Sequence, residues 1–284
     1  MGGKESRDPI TKYGLFKHYV GDDIIFQPVA APDGSLMNPR YATCIFLHDH
    51  GECPQKYVET FFVKASNKIF GFDKLVNVVA VQAPIVIEQN DKGRRCAWNN
   101  QGQDLMQSQG YAYVQQIIER EIQAMAGRAD KLFIMGVGVG GHIAMLSAFY
   151  SQYVFGGVFC LDVPPPEQIV NCIQSGEGAA IYPMYEAKKN MFICITQWKA
   201  SLDEATKNNV AQQAQVMRGK GFLRLSLKEV KKSMDRAICQ VHNFSRVGSQ
   251  YEVDRMNSFR EARTGKYDKQ AQARNAPAVT QTGQ

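Results

Sequence analysis

Leu132-Phe-Ile-Met-Gly-Val-Gly-Val-Gly-Gly-His-Ile-Ala-Met-Leu146 runs from a short apolar strand pattern through a glycine cluster directly into an apolar helix pattern. A strand that turns straight into a helix of small and apolar residues belongs in an α/β protein, where the strand is buried in a sheet and the helix packs on it. The spacing Gly136-x-Gly138-x-Gly140 is that of G-x-S-x-G, the turn that presents a nucleophilic serine, with glycine where the serine would stand. The same residues satisfy Gly136-x-Gly138-x-x-Gly141, the dinucleotide-binding fingerprint, and Asp162 ends the next strand pattern about twenty residues on, where a ribose ligand is expected. In a third reading the glycines serve the fold alone. Gly136 and Gly140 then permit a tight turn, Gly138 accepts a strained backbone, and Gly141 lets the helix approach the strand.

Working outward from this turn, Tyr41–Leu47 and Leu75–Val81 are continuous apolar runs, as expected of strands buried on both faces of a parallel sheet. Phe155–Leu161 and Met191–Thr196 follow the same pattern, and Phe222–Leu227 alternates like an edge strand. Helical spacing marks Pro54 to about Phe70, Gly110 to Ala126 with Gly127 placed to end it, Gly141 to about Tyr150, Leu202 to Arg218, and Glu229 to Phe244. The stretch from Pro84 to Gln107 shows no period and reads as a loop. Strands alternating with helices predict a doubly wound, mostly parallel α/β sheet with right-handed crossovers.

The composition narrows the functional classes. A net charge of +6 with dispersed Lys and Arg gives no nucleic-acid stripe and suits an acidic protein surface better. Seven cysteines are scattered without C-x-x-C spacing, several inside apolar strand patterns, which is reduced, cytosolic-type usage. No apolar run approaches a bilayer span, and a soluble, cytoplasmic protein is expected. Met1-Gly2-Gly3-Lys4-Glu5-Ser6 fits the N-myristoylation pattern, and one such chain would give weak, reversible membrane contact. His48-Asp-His50 with Glu52 offers imidazole and carboxylate donors, but two histidines one residue apart on a turn do not close a metal site, so a hydrogen-bonded loop is expected and no metal or other cofactor.

Four landmarks together resemble one family. Ile45-Phe-Leu-His-Asp-His-Gly-Glu52 is similar to the strand and oxyanion loop "IFLHGLGD" of acyl-protein thioesterases and the related carboxylesterase/phospholipase group of α/β-hydrolases. Ala97-Trp98 falls where that family has a tryptophan before its long helix, Phe133–Ala144 resembles "ILGGFSQGGALA", and Phe155–Leu161 resembles "LAGVVALS". The resemblance spans roughly Tyr41 to Phe244 and implies an α/β-hydrolase fold. It also implies a Ser–Asp–His triad, in which imidazole takes the serine proton and the carboxylate fixes the imidazole tautomer. At the three matching places this chain has Gly138, then Thr196–Glu204 with Lys199 and Ala200 near the aspartate position, then Leu225–Lys232 without a histidine. Asp203 is expected to cap a helix, and His242 lies too late, inside the final helix pattern. The oxyanion positions implied by the resemblance are the backbone N–H groups of His50 and Val139.

The resulting expectation is an extended N-terminal arm (1–40) with a short strand or hairpin at Asp23–Pro28, an α/β-hydrolase-like domain (41–248) and a polar C-terminal tail (249–284) too poor in apolar residues to fold alone. Function is expected to be that of a catalytically inactive, thioesterase-like structural or adaptor subunit. Its arm and tail would bind protein partners, including acidic surfaces such as tubulin in a cytoskeletal or ciliary assembly. The alternatives are a residual esterase, or a nucleotide-binding oxidoreductase using Gly136, Gly138, Gly141 and Asp162.

Overall fold

The apolar runs become strands of one eight-stranded sheet, ordered β1-β2-β4-β3-β7-β8-β9-β10. A computed structural model describes residues 15–20, 22–28, 42–58, 76–90, 93–198 and 203–230. The chain divides into two units, Met1–Asn243 and Phe244–Gln284, and every described residue lies in the first. The strands are β1 Leu15–Val20, β2 Asp23–Pro28, β3 Ala42–Leu47, β4 Val76–Val81, β5 Ile85–Asn90, β6 Gly93–Ala97, β7 Leu132–Val137, β8 Gly157–Leu161, β9 Phe192–Trp198 and β10 Leu225–Val230. Six of the eight, from β4 through β10 in sheet order, are parallel, and the β1–β2 hairpin adds itself antiparallel at the β4 edge. This is the mostly parallel α/β-hydrolase-type sheet that the strand–helix alternation implies.

Helices connect the strands: α1 Pro54–Val58, α2 Gln109–Ala124, α3 Val139–Tyr150, α4 Glu167–Ser175, α5 Gly178–Ile181, α6 Tyr185–Lys188 and α7 Glu204–Gly219. Local chemistry sets their ends. Ser108 accepts a hydrogen bond from the Tyr111 N–H and starts α2, and Asp203 accepts from the Thr206 N–H at 2.7 Å and starts α7, the capping role expected of it. None of the described helices is long and apolar enough to cross a membrane.

The structure departs from the sequence reading in four places. Within the arm expected over residues 1–40, Asp23–Pro28 is the strand β2 as read, but β1 pairs with it and the hairpin joins the sheet edge at β4, a partner distant in sequence. The aperiodic stretch after Pro84 holds the two-stranded β5–β6 hairpin, whose register shift between Val86 and Glu88 breaks the alternation that would have revealed it. Residues 167–188, after the proline run, form three short helices that were not expected. Finally, β10 runs to Val230, through the first residues assigned to the last helix. The remainder of that helix, most of the helix expected after Pro54, Lys199, Ala200, His242 and the tail lie outside the described residues.

α3 is the centre of the packing. Gly140, Gly141 and the run Ile143–Phe149 are all buried, so this helix is apolar around its whole circumference. Its C-terminal carbonyls are satisfied by a side chain from far along the chain: Lys188, itself buried, donates from Nζ to the carbonyl oxygens of Phe149 at 2.6 Å and Ser151 at 2.5 Å. Burial pushes the Lys188 pKa down to about 8, yet at neutral pH the ammonium remains the main form and faces the negative end of the helix dipole. Lys188→Met keeps most of the stem's packing and leaves both carbonyls bare. It should cost about 1–3 kcal/mol in urea unfolding, and an unchanged midpoint would show that the ammonium contributes nothing.

Candidate functional site

The parallel strands β3 and β7 lie side by side, and the chain leaves them on opposite sides: from β3 toward β4, from β7 toward β8. In such sheets the crevice beyond the carboxyl ends of the strands at this reversal is where ligands bind. The loops that meet there are His48–Glu52 and the glycine turn at Gly138.

Gly138 joins β7 to α3 with no intervening loop, at φ 53° and ψ −123°, a conformation L side chains rarely adopt. Its N–H donates to the Leu161 carbonyl at 3.0 Å and its carbonyl accepts from the Gly141 N–H at 2.9 Å, so the turn is fixed by backbone on both sides. The neighbouring glycines serve close packing. A Cβ on Gly140 would lie 2.6 Å from the Leu47 carbonyl, one on Gly141 would lie 2.6 Å from Val163 Cγ1, and one on Gly136 would overlap the Gly140 backbone. Asp162, at the end of β8, has a left-handed φ of 56° and donates its N–H to the Thr196 carbonyl.

The space over Gly138 is taken by Asp49. A Cβ built on Gly138 would overlap the Asp49 carboxyl group, with Oδ2 only 2.6 Å away. The carboxylate is held by the two backbone groups that the resemblance places in the oxyanion hole: Asp49 Oδ1 accepts from the His50 N–H at 2.7 Å and from the Val139 N–H at 3.1 Å. Burial raises the Asp49 pKa above the ordinary carboxylate value, while the Val139 and His50 N–H groups act in the opposite direction by stabilising the anion.

The rest of the loop is built to keep Asp49 there. His48 is buried, with Nδ1 2.7 Å from the Asp49 carbonyl and Nε2 accepting from the Ala83 N–H at 3.0 Å. Since Nε2 accepts, Nδ1 carries the proton, and neither ring nitrogen is left to bind a metal. The Trp98 indole N–H donates to the His48 carbonyl at 2.8 Å, and the two rings lie 4.9 Å apart. Gly51, at φ 78°, turns the chain so that its N–H reaches the Cys96 carbonyl at 2.8 Å while the Cys96 N–H returns to the Glu52 carbonyl at 3.0 Å. Glu52 also accepts from the Tyr57 hydroxyl and the Lys56 ammonium. The β5–β6 hairpin thus clamps the loop from one side and Trp98 from below.

His142 follows the glycine turn. Its Nε2 lies 3.1 Å from the Pro164 carbonyl, to which it donates, and burial holds its pKa below the usual value. Arg94 and Arg95 pair with Asp22 and Glu88, and Arg95 Nε also donates to the Gly51 carbonyl. The structure therefore brings together Gly138, Val139, His50 and Asp49, and the last of these was read only as part of a turn. A signal was present: the matching loop "IFLHGLGD" has glycine where this chain has Asp49, and the matching elbow has serine where this chain has Gly138. The small residue and the functional residue have changed places.

No family model matches the chain, and no curated protein matches it significantly in sequence. Solved structures do resemble it. Zea mays acyl-protein thioesterase 2 aligns with a TM-score of 0.53 at 12% identity, covering 81% of this chain and 100% of that one. Arabidopsis thaliana SOBER1 aligns at 0.51 and 15% identity, covering 75% and 99%, and a ferulic acid esterase at 0.55 and 14% identity, covering 79% and 91%. At such identities the likeness establishes the α/β-hydrolase fold.

The loop's burial of His48 has a pH signature. Desolvation lowers its pKa from 6.5 to about 4, so between these values the unfolded chain binds the extra proton and stability falls as pH falls. The contribution is complete above pH 6.5, is lost progressively down to pH 4, and amounts to about 3 kcal/mol. The stability advantage of the wild type over His48→Gln, from urea unfolding at several pH values, should shrink across this window. A constant gap would place the imidazole in water.

Proposed function

We propose that this protein is a hydrolase-fold chain that does not hydrolyse, retained for its shape as a structural or adaptor subunit. The observation that carries the reading is the Asp49 carboxylate, which takes the volume of a nucleophile over Gly138 and both N–H groups that would stabilise an oxyanion. Acyl transfer needs an attacking atom and a vacant cradle for the negative charge it creates. Here there is no side chain to attack and the cradle already holds an anion. Vacancies at the aspartate and histidine positions of the sequence agree with this, because three losses in three separate segments remove a mechanism where one would only impair it.

The same reading assigns partner binding to the N-terminal segment and the polar tail 249–284, whose surplus of Lys and Arg suits acidic protein surfaces such as tubulin. A cytoplasmic location within a cytoskeletal or ciliary assembly is the finer part of the proposal. Pull-down with the full chain and with a form ending at Gly248 tests it: partner recovery should fall for the shortened form, and equal recovery would sink the anchoring role.

Activity is tested with a fluorophosphonate probe and short acyl esters, neither of which should react. Stoichiometric labelling of any serine would restore the esterase reading, and a thermal shift with a nicotinamide dinucleotide would favour the oxidoreductase one. Gly138→Ser should give no turnover and should destabilise the fold by about 2–4 kcal/mol, through the positive φ and the clash with Asp49. In Asp49→Gly/Gly138→Ser the clash is gone, so the double variant should be more stable than the sum of the single changes predicts, with a coupling of about 1 kcal/mol or more in urea unfolding. Additive effects would mean that the two positions do not share one space.

A further inference from the structure

Far along the chain from the crevice residues, two segments combine exposed apolar side chains with cations. α6 and the turn between α7 and β10 are held together by the Tyr185 and Phe222 rings, 5.7 Å apart, and by the Arg224 guanidinium, which donates to the Asn190 carbonyl at 2.9 Å. The Lys189 side chain lies against Gly221 in the same contact. Both ring residues are buried, but their chain neighbours are not: Leu223 is 80% exposed and Met184 58%. The backbone sets both outward. Met184 has a left-handed φ of 54°, uncommon for a side chain of its size, and Leu223 sits in a turn closed by its own N–H onto the Gly221 carbonyl at 2.9 Å.

A single exposed leucine would mean nothing. Here the turn reads Arg218-Gly-Lys-Gly-Phe-Leu-Arg224, so an apolar tip stands beside the exposed Arg218 and Lys220, with Arg218 also donating to the Leu225 carbonyl and Arg224 held by the Asn190 carbonyl. The acidic groups of the facing segment are Glu186, which is paired with Lys189 at 2.8 Å, and the exposed Glu177. The balance at the turn is positive. We infer that this turn and Met184 form a contact for an anionic lipid surface, with Leu223 and Met184 entering the boundary between headgroups and acyl chains and the exposed Arg218 and Lys220 meeting the phosphates. Charge complementarity selects the anionic partner. The apolar side chains are exposed on a turn, and a fluid interface closes around such side chains without needing a matching pocket. The N-terminal sequence Met1-Gly2-Gly3-Lys4-Glu5-Ser6 fits an acylation pattern, and a single acyl chain binds only marginally without a second signal of this kind. The inference does not depend on whether the crevice is catalytic.

The test is co-sedimentation of the unacylated full-length chain with vesicles of phosphatidylcholine alone and of phosphatidylcholine containing phosphatidylserine. Binding is expected to the second kind, weakening as salt is raised. Leu223→Glu should reduce the partition coefficient about tenfold or more, and Lys220→Gln about fivefold. Both positions are exposed, and unchanged circular dichroism would verify that the variants fold. Equal pelleting of Leu223→Glu and the wild type would overturn the inference by assigning any membrane contact to other basic segments such as the tail. Failure of the wild type to pellet would overturn it too, and would leave the patch to a protein partner.

Discussion

A helix buried on every side must have its ends satisfied from within the protein, and most of this structure is arranged to do that for α3. An unpaired N–H or C=O at the end of a helix so largely buried costs as much as several ordinary surface changes. Two charged side chains from distant parts of the chain meet the requirement. Asp49 accepts from the Val139 N–H at the positive end, and the Lys188 ammonium donates to the Phe149 and Ser151 carbonyls at the negative end. Lys188 is buried and Asp49 half-buried, and each is oriented to the helix dipole that favours it.

This arrangement gives the crevice its character. In a working serine hydrolase the N-terminal end of the corresponding helix and the oxyanion loop stay open so that charge can develop there during reaction. In this chain the loop supplies the charge permanently. The loop is positioned by the Trp98 indole under His48, the Gly51 turn onto Cys96, and the neutral His48 bridging to Ala83. They now hold a carboxylate in place. Gly138 is then required twice, once for its backbone angles and once because any side chain would overlap Asp49.

The fold was legible wherever one residue pattern dominates. Continuous apolar runs marked β3, β4, β7, β8 and β9, and the helical spacing of Val114, Ile118 and Ile122 marked α2, because these elements are buried on the faces that the patterns describe. Elements whose identity depends on distant partners were hidden. The place of β2 in the sheet is set by its pairing with distant β4, the bulged β5 conceals its alternation, and α5 and α6 are too brief for a periodic signal. At the site, the missing serine was visible at Gly138, since one position answers one question. The Asp49 substitution in the loop was visible too, but not its role, because Asp49 is ninety residues from Val139 in sequence and meets it only once β3 and β7 lie side by side.

The most direct measurement is a pH titration of the amide resonances of the wild-type protein by ¹H–¹⁵N NMR. If one carboxylate oxygen accepts from both groups, the His50 and Val139 amide protons will shift together, with a single midpoint above the ordinary aspartate value of 3.8. Both shifts will vanish in Asp49→Asn. Amide protons that titrate separately, or that ignore the loss of the Asp49 charge, would show that the cradle is open and that the chain keeps the means to stabilise an oxyanion.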